Sequence, residues 1–600
     1  MASIAWNLLF KQKEIPVELC EHQKSSGTFS PLENRNEASE VNNEKGIEEC
    51  LVCKTKEKAI TKYRRKLIAG LALPVLIQAL DTTILAGAIT TIASDFNQLS
   101  QLNWIVASYN LTSATFIPFW GQFADIFGRY AALQIALSFM LLGSILSSAA
   151  PTTAFPMLLL GRAFHGIGCS GCLITSKVVL ADKVSLKENA KNNTLFTVVA
   201  GIGYGIGPVI GGYLTEANWR WCFIINIPLG LIGLLLIHFL LRSELIGAQR
   251  IETSSPSNPS PKPPTFTTRF LTFDFGGQLL FLFGLGLLVL ALTWGGSTYP
   301  WTSIKVIIPL ILGVLLIVGF LIWEYNLLPT HYLATRFPTQ KPMIPFHLLT
   351  KRNAWILLYI NLITGMCMYA VFYFVSIYFT LVQSFAPGKS GTSLTYYLPG
   401  LAGGAYLAIL LTTQTFFPLL TGTLLEALGI TVLATALQAD NLKLIYGMLV
   451  LTGIGTGLRI MPGTLHGVGY FPTQISSIVS LMSLATSLGG VISTTLLLNI
   501  FNNTISSSDL NAISSAKTAT SEAIAGLPSG IRDAFRDDAR RGIVLGFFAL
   551  SAFAWVGCVV VLGLGNVWVE KGGEGKGEVV EGSYLGSLVG GRKEEVGENV

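Results

Sequence analysis

GIGYGIGPVIGG, residues Gly201–Gly212, sets six glycines and a proline between flanks, LFTVVA and YL, that read as ordinary apolar helix. Glycine and proline are the weakest helix formers, so their concentration here needs a reason. Spacing excludes a dinucleotide-binding loop. That fingerprint places glycines first, third and sixth in a strand-to-helix turn, and counting from Gly203 the sixth place is Pro208. What the spacing supplies is Gly203, Gly207 and Gly211 at intervals of four, on one face of a helix. Small residues at that interval let two backbones approach closely, as packed helices do in lipid.

The composition fits lipid as the solvent. Of 600 residues 51% are hydrophobic and 12% charged, about half the charge of an average soluble domain, and mean hydropathy is +0.56. Apolar runs long enough for a hydrocarbon core of about 30 Å recur along the chain, about fourteen in all. They centre on 67–93, 103–120, 131–150, 156–181, 194–216, 222–241, 274–294, 303–323, 354–381, 390–411, 415–436, 444–465, 474–500 and 542–565. The expected fold class is an all-α polytopic membrane protein.

Basic residues orient it. KTKEKAITKYRRK, Lys54–Lys66, carries seven of them against Glu57 just before the first run. Lysine and arginine collect on the cytosolic side, so connections after even-numbered spans are expected there. These carry Arg129; Lys183, Lys187 and Lys191; Arg242, Arg250, Lys262 and Arg269; Arg336, Lys341, Lys351 and Arg352. The net charge of +6 follows from this bias and is no argument for nucleic-acid binding. Segment 501–541 balances its basic residues with acidic ones and is expected outside, where Asn502-Asn503-Thr504 makes Asn502 a glycosylation acceptor. No cleavable signal peptide is expected, because insertable sequence begins only near Leu67. Cys50 and Cys53 form a lone CxxC with no second pair spaced for zinc, so no metal site is expected.

Polar connectors divide the chain. Residues 1–65 and 566–600 read as disordered cytosolic tails. Cytosolic linkers at 242–273, rich in Pro, Ser and Thr, and at 324–353 set off a six-helix bundle at 66–241, an inserted helix pair at 274–323 and a second six-helix bundle at 354–565. No sequence repeat between the bundles is evident.

Ionisable groups in hydrocarbon are functional candidates. Asp81 lies ~21 Å from the cytosolic end of span one and Arg162 roughly 20 Å above the same face in span four, so the two can pair. A carboxylate that loses its guanidinium partner gains proton affinity, which makes the pair a coupling device; a permanent pair that fixes helix register is the alternative. His165, one turn from Arg162, is a proton-relay candidate or a hydrogen-bonded packing residue. Glu426, ~16 Å into span eleven, is a substrate or proton site candidate. Lys177, near the inner end of span four, can reach water by extending along its stem. Trp104, Tyr109, Tyr369, Phe372 and Tyr373 can line an apolar cavity or simply pack. In GQFADIFGRY, Gly121–Tyr130, glycines Gly121 and Gly128 permit a tight reversal, and Asp125 and Arg129 stand four apart.

GQFADIFGRY resembles the cytosolic signature loop of the major facilitator superfamily, LLLGRAFHGIG its span-four arginine motif, and GIGYGIGPVIGG its span-five antiporter motif. With LDTTILAGAIT, WIVASYNLT, NWRWCFIINIPLG and FDFGG, the order over about residues 66–565 resembles the fourteen-span drug:proton antiporter branch, which includes fungal toxin efflux pumps. That resemblance implies the major facilitator fold, an inner charge latch of Asp125 and Arg129 with Asp182 beside it, and a proton-coupling role for Arg162. It also implies a packing and bending role for Gly203, Gly207, Pro208, Gly211 and Gly212. Departures are Ile126 and Tyr130 where the loop often has basic residues, Thr90 where span one usually has proline, and TTQTFFPLLTG where the second half has a basic turn.

The expected function is proton-driven export of a small amphipathic organic compound by a monomer, with the proton gradient in place of a cofactor, at the plasma membrane or a vacuolar or vesicular one. The alternative on the same fold is import or vacuolar carriage of an iron chelate or a cationic amino acid. No GxxxxGK[ST] motif marks ATP use. A membrane enzyme would need a clustered polar constellation, and His22, His165, His238, His331, His347 and His466 are scattered.

Overall fold

The computed structural model describes residues 51–98, 101–181, 186–245, 266–296, 299–328, 331–337, 340, 342–344, 346–411, 413–504, 529–568, 578–580 and 582–585. Long helical segments lie on each apolar run: α1 (Leu51–Ile84), α2 (Leu102–Phe127), α3 (Arg129–Ala149), α4 (Phe155–Ala181), α5 (Leu186–Asn218), α6 (Trp221–Leu245), α7 (Phe275–Trp294), α8 (Ile304–Asn326), α9 (Arg352–Val382), α10 in two pieces (Pro387–Leu394 and Tyr397–Leu410), α11 (Phe416–Gln438), α12 (Leu442–Tyr470), α13 (Ile475–Thr504) and α14 (Ser529–Val561). Among the described residues, 12 helices are long and apolar enough to cross a membrane. α2 and the divided α10 fall outside that set.

The packing repeats with an offset of eight helices. α1 packs on α5 as α9 packs on α13; α2 on α4 as α10 on α12; α3 on α4 and α6 as α11 on α12 and α14. Contacts between the two sets obey the same exchange, α2 meeting α13 and α5 meeting α10. The duplication that sequence comparison of the halves does not reveal is plain in the contact pattern. α7 and α8 pair with each other, and α7 also touches α2 and α13.

Glycines set the closest of these contacts. A Cβ on Gly203 would lie 2.8 Å from the Leu76 carbonyl oxygen and one on Gly207 3.0 Å from that of Leu80, with Gly211 closer still to Ile84 O. The stripe read from the sequence therefore seats α5 on the backbone of α1. The opposite face, at Gly212 and Pro208, meets Pro387 and Gly391 of α10. Between α2 and α3, Gly128 alone makes the turn with φ +100°, a region that side chains disfavour.

Three readings of the ends need correction. α1 starts at Leu51, inside the stretch taken as tail, and α14 starts at Ser529, inside the stretch taken as outer loop. The C-terminal stretch from 566 also has structure. Strands β1 (Asn566–Trp568) and β2 (Glu578–Val580) pair antiparallel, and Thr415 N donates to Val567 O at 3.2 Å while Phe416 N donates to Asn566 Oδ1 at 3.1 Å. Main-chain amides at the α10–α11 turn need acceptors, and β1 supplies them. Tyr584 adds a ring contact with Phe416 at 5.2 Å.

Two large apolar clusters form the core, and each draws on both bundles. One joins Ile84, Phe96 and Phe223 to Phe372, Leu437 and Phe547; the other joins Leu67, Trp120 and Met140 to Leu357, Met482 and Leu564.

Gly211→Val is expected to destabilise by about 1–3 kcal/mol through forced separation of α1 and α5. Gly201→Val, whose Cβ would meet only Leu401 Cδ2 at 3.8 Å, should behave like wild type. Thermal unfolding and size-exclusion profiles of the two variants check this, and equal behaviour would refute the stripe's role.

Candidate functional site

Asp81 on α1 is wholly buried. Its Oδ2 receives Arg162 Nη1 at 3.1 Å and lies 3.1 Å from His165 Nε2, while Oδ1 accepts from Asn226 Nδ2 at 2.9 Å. Arg162 and His165 stand one turn apart on α4, so their side chains leave the same face. Four helices thus converge on one carboxylate, because Ser144 of α3 completes the ring with Oγ 3.0 Å from His165 Nδ1. Gly143 and Gly161 let α3 and α4 approach closely enough for that contact. Above the charge pair, the Tyr109 ring centroid is 4.5 Å from the Arg162 guanidinium carbon and the Phe223 ring 5.7 Å.

The neighbouring residue joins this cluster to the second bundle. Thr82 O accepts from Tyr373 OH at 2.7 Å, Thr82 Oγ1 lies 3.3 Å from Tyr109 OH, and four residues on Ala86 O accepts from Ser376 Oγ at 3.0 Å. A displacement of α9 is therefore felt beside Asp81.

Glu426 on α11 is also wholly buried, in an ion pair with Arg459 of α12. Thr456 donates to its carboxylate and itself accepts from Tyr397 OH at 2.7 Å. Arg162 and Arg459 thus lie on corresponding helices of the two bundles but recruit carboxylates from different ones.

At the end that the basic residues assign to the cytosol, Arg129 Nη2 pairs with Asp125 Oδ1 at 2.9 Å and Nη1 donates to Ala124 O at 3.1 Å. Asp182 lies outside the described residues. Gly121 faces the second bundle, where Ser476 Oγ donates to its carbonyl at 3.3 Å, and Lys177 Nζ donates to Ser483 Oγ at 3.0 Å. At the opposite end Gly388 N donates to Glu216 Oε1 at 3.1 Å. The bundles touch at both ends, which is a closed arrangement.

A cavity of about 30 Å³ lies between Ile89, Val106, Thr293, Tyr373, Thr494 and Leu498. Of the five aromatic candidates, Tyr373 lines it. Tyr109 belongs to the Asp81 cluster, Tyr369 stacks on Tyr373, Phe372 packs between Tyr204 and Tyr397, and Trp104 meets Trp294 edge-on. Asn502 is half-buried in the last turn of α13.

Asn226, Ser144 and Arg459 were not picked out from the sequence as partners. Each is a polar residue within an apolar run, which was the available signal, but nothing in the spacing says which distant helix it meets.

Known proteins place this architecture. A sequence profile of the Major Facilitator Superfamily matches residues 71–299. An MFS-type transporter of Penicillium citrinum, gkaD, is 30% identical over 438 residues, covering 72% of this chain and 68% of that protein. The chain belongs to the major facilitator superfamily. Efflux pump FUS6 of Gibberella fujikuroi is 32% identical over 331 residues, 55% of this chain and 54% of the pump. A bacterial homologue of the human lysosomal transporter Spinster, solved inward-facing and unoccupied, superposes with a TM-score of 0.53 at 14% identity, covering 83% of this chain and 98% of that one, and shares the fold. As a member of the superfamily the chain is a multi-pass membrane transporter of a small molecule, and not an enzyme.

Arg162→Met should cost ~3–5 kcal/mol by leaving the Asp81 charge buried and uncompensated, and adding Asp81→Asn should recover much of that loss. A double-mutant cycle on thermal unfolding measures the coupling; additive losses would mean that the pair contributes nothing.

Proposed function

We propose that this transporter exports a small amphipathic organic compound in exchange for protons, with the Asp81 cluster as the coupling site. The observation that carries the reading is the shared carboxylate. Ser144 Oγ also donates to Met140 O at 3.0 Å, so its one hydroxyl hydrogen is committed. An imidazolium at His165 then suits both neighbours, placing positive charge at Nε2, 3.1 Å from Asp81 Oδ2, and donating from Nδ1 to Ser144 Oγ. Neutral His165 makes Met140 O and Nδ1 compete for the same hydrogen. Asp81 can thus hold Arg162 alone or Arg162 with a protonated His165, and the difference is one proton.

Alternating access supplies the coupling. The bundles at 66–241 and 354–565 rock about the Tyr373–Thr82 contact, with 274–323 as an inserted pair and the Gly203–Gly212 motif as the packed hinge face. Asp125 and Arg129 latch the cytosolic end, Glu426 with Arg459 is a second charge site, and the compound occupies the space that opens around Tyr373 when the bundles part. Export rather than import is supported by the span-five motif and by the efflux pump among the relatives. Working as a monomer in the plasma membrane fits this role.

Sealed vesicles with an imposed pH gradient and a lipophilic fluorescent dye test the reading. Wild-type protein should drive dye movement that a protonophore abolishes. Asp81→Asn should insert normally and retain about a hundredth of that flux or less, the scale of one lost general acid–base group. Undiminished gradient-driven flux in Asp81→Asn would remove the cluster from coupling.

A further inference from the structure

A second pair of buried carboxyls lies far along the chain from Asp81. Asp274, just before α7, is wholly buried, and Glu324, near the end of α8, is 1% exposed. Asp274 caps α7, its Oδ1 accepting from Gly277 N and from Trp323 Nε1, both at 2.9 Å. Glu324 Oε1 accepts from Met343 N at 3.2 Å and Ile344 N at 3.4 Å, in the segment that leads to α9. Each carboxyl therefore has one oxygen engaged by N–H donors and one oxygen, Asp274 Oδ2 or Glu324 Oε2, that is buried without a donor. The two groups adjoin: a Cβ on Gly277 would strike Asp274 Oδ2 and lie 3.2 Å from Glu324 Oε1, so only glycine leaves room for both.

Two ionised carboxylates in contact and out of water are prohibitively costly, whereas one proton between them turns repulsion into a hydrogen bond. We propose that Asp274 and Glu324 are a second protonation site, in which Glu324 Oε2 carries a proton that Asp274 Oδ2 accepts. Its ligand is a proton drawn from the solution at the end of α7 and α8 that the basic residues assign to the cytosol.

Among the described residues the surroundings are polar. From α2, Gln122 Oε1 accepts from Asp274 N at 3.3 Å; from α7, Gln278 donates to Thr115 O at 3.2 Å; from the short helix Phe266–Leu271, Arg269 donates to Ile126 O at 2.8 Å; and Asp125 pairs with Arg129. Burial pushes the Asp274 carboxyl up, against the Gly277 amide, the Trp323 indole and the Glu324 carboxyl, which hold it down. A raised carboxyl contributes its stabilisation at low pH and loses it as pH climbs above the ordinary carboxylate range. Loss of the shared proton sets two anions together and releases the Met343–Ile344 strap, which ties the first bundle, through Gln122, to the segment entering the second.

The segment leading to the strap offers a trypsin site at Arg336, whereas Lys341 precedes Pro342 and resists the protease; the test uses the full-length protein in detergent without any transport assay. Tryptic cleavage at Arg336, scaled at each pH to the protease's rate on a small arginine substrate, and thermal unfolding are followed from about pH 6 to about pH 9, the range above ordinary carboxylate titration. Wild type should be protected at the acidic end, then be cleaved about tenfold faster and melt several degrees lower at the alkaline end. Glu324→Gln, whose amide N–H replaces the acid O–H, should stay protected throughout. Asp274→Asn keeps the α7 cap and should likewise lose the pH dependence. Wild-type cleavage independent of pH would overturn the proposal, as would either variant keeping the wild-type pH profile.

Discussion

A carboxylate out of water must be met by hydrogen bonds and opposite charge, and Asp81 meets that demand by drawing on three other helices. Arg162 and His165 come from α4, Asn226 from α6, and Ser144 of α3 holds the imidazole. None of these helices can rotate about its axis without stripping a donor from the carboxylate or its histidine. The first bundle is thereby given a register that apolar packing alone does not specify, since hydrophobic contacts tolerate considerable repacking. The second bundle obtains the same from Glu426 and Arg459, using different helices. Shape repeats between the halves; charge placement does not. Such divergence is what a duplicated scaffold allows once helix packing is secured by glycines and each half is free to place its own polar groups.

What the sequence made legible depends on the length scale of the signal. The glycine stripe was readable because its cause is local: a period of four puts Gly203, Gly207 and Gly211 on one face, whatever they touch. Depth counting set Asp81 near Arg162 because both lie on helices of known rise. Asn226 was visible as a polar residue in an apolar run, yet its partner lies 145 positions away. Arg459 is a charged residue in an apolar run, yet nothing in the sequence points it to Glu426. Tails were misjudged for a different reason. The C-terminal stretch is poor in core-forming residues, but it is held by main-chain hydrogen bonds and by Trp568 and Tyr584, and backbone pairing leaves no mark on composition.

The closed arrangement and the small cavity belong together. Ser476 and Ser483 meet α2 and α4 at one end, and Gly388 meets Glu216 at the other. Around Tyr373 the room left is about 30 Å³, whereas sites for drug-sized ligands are on the order of 300–1,000 Å³. Binding a substrate of that size around Tyr373 therefore requires the bundles to part, and the single hydrogen bonds at each end, weak individually, suit an interface that must open and reform.

The docking of β1 on the α10–α11 turn has a consequence for synthesis. Thr415 and Val567 are 152 residues apart, and at typical elongation rates the ribosome needs roughly 8–30 s to pass from one to the other. During that interval the amides of Thr415 and Phe416 have no strand to bond and must be hydrated. The turn therefore belongs at an aqueous surface from the moment it is made, and the second bundle gains this clasp only after β1 has been synthesised.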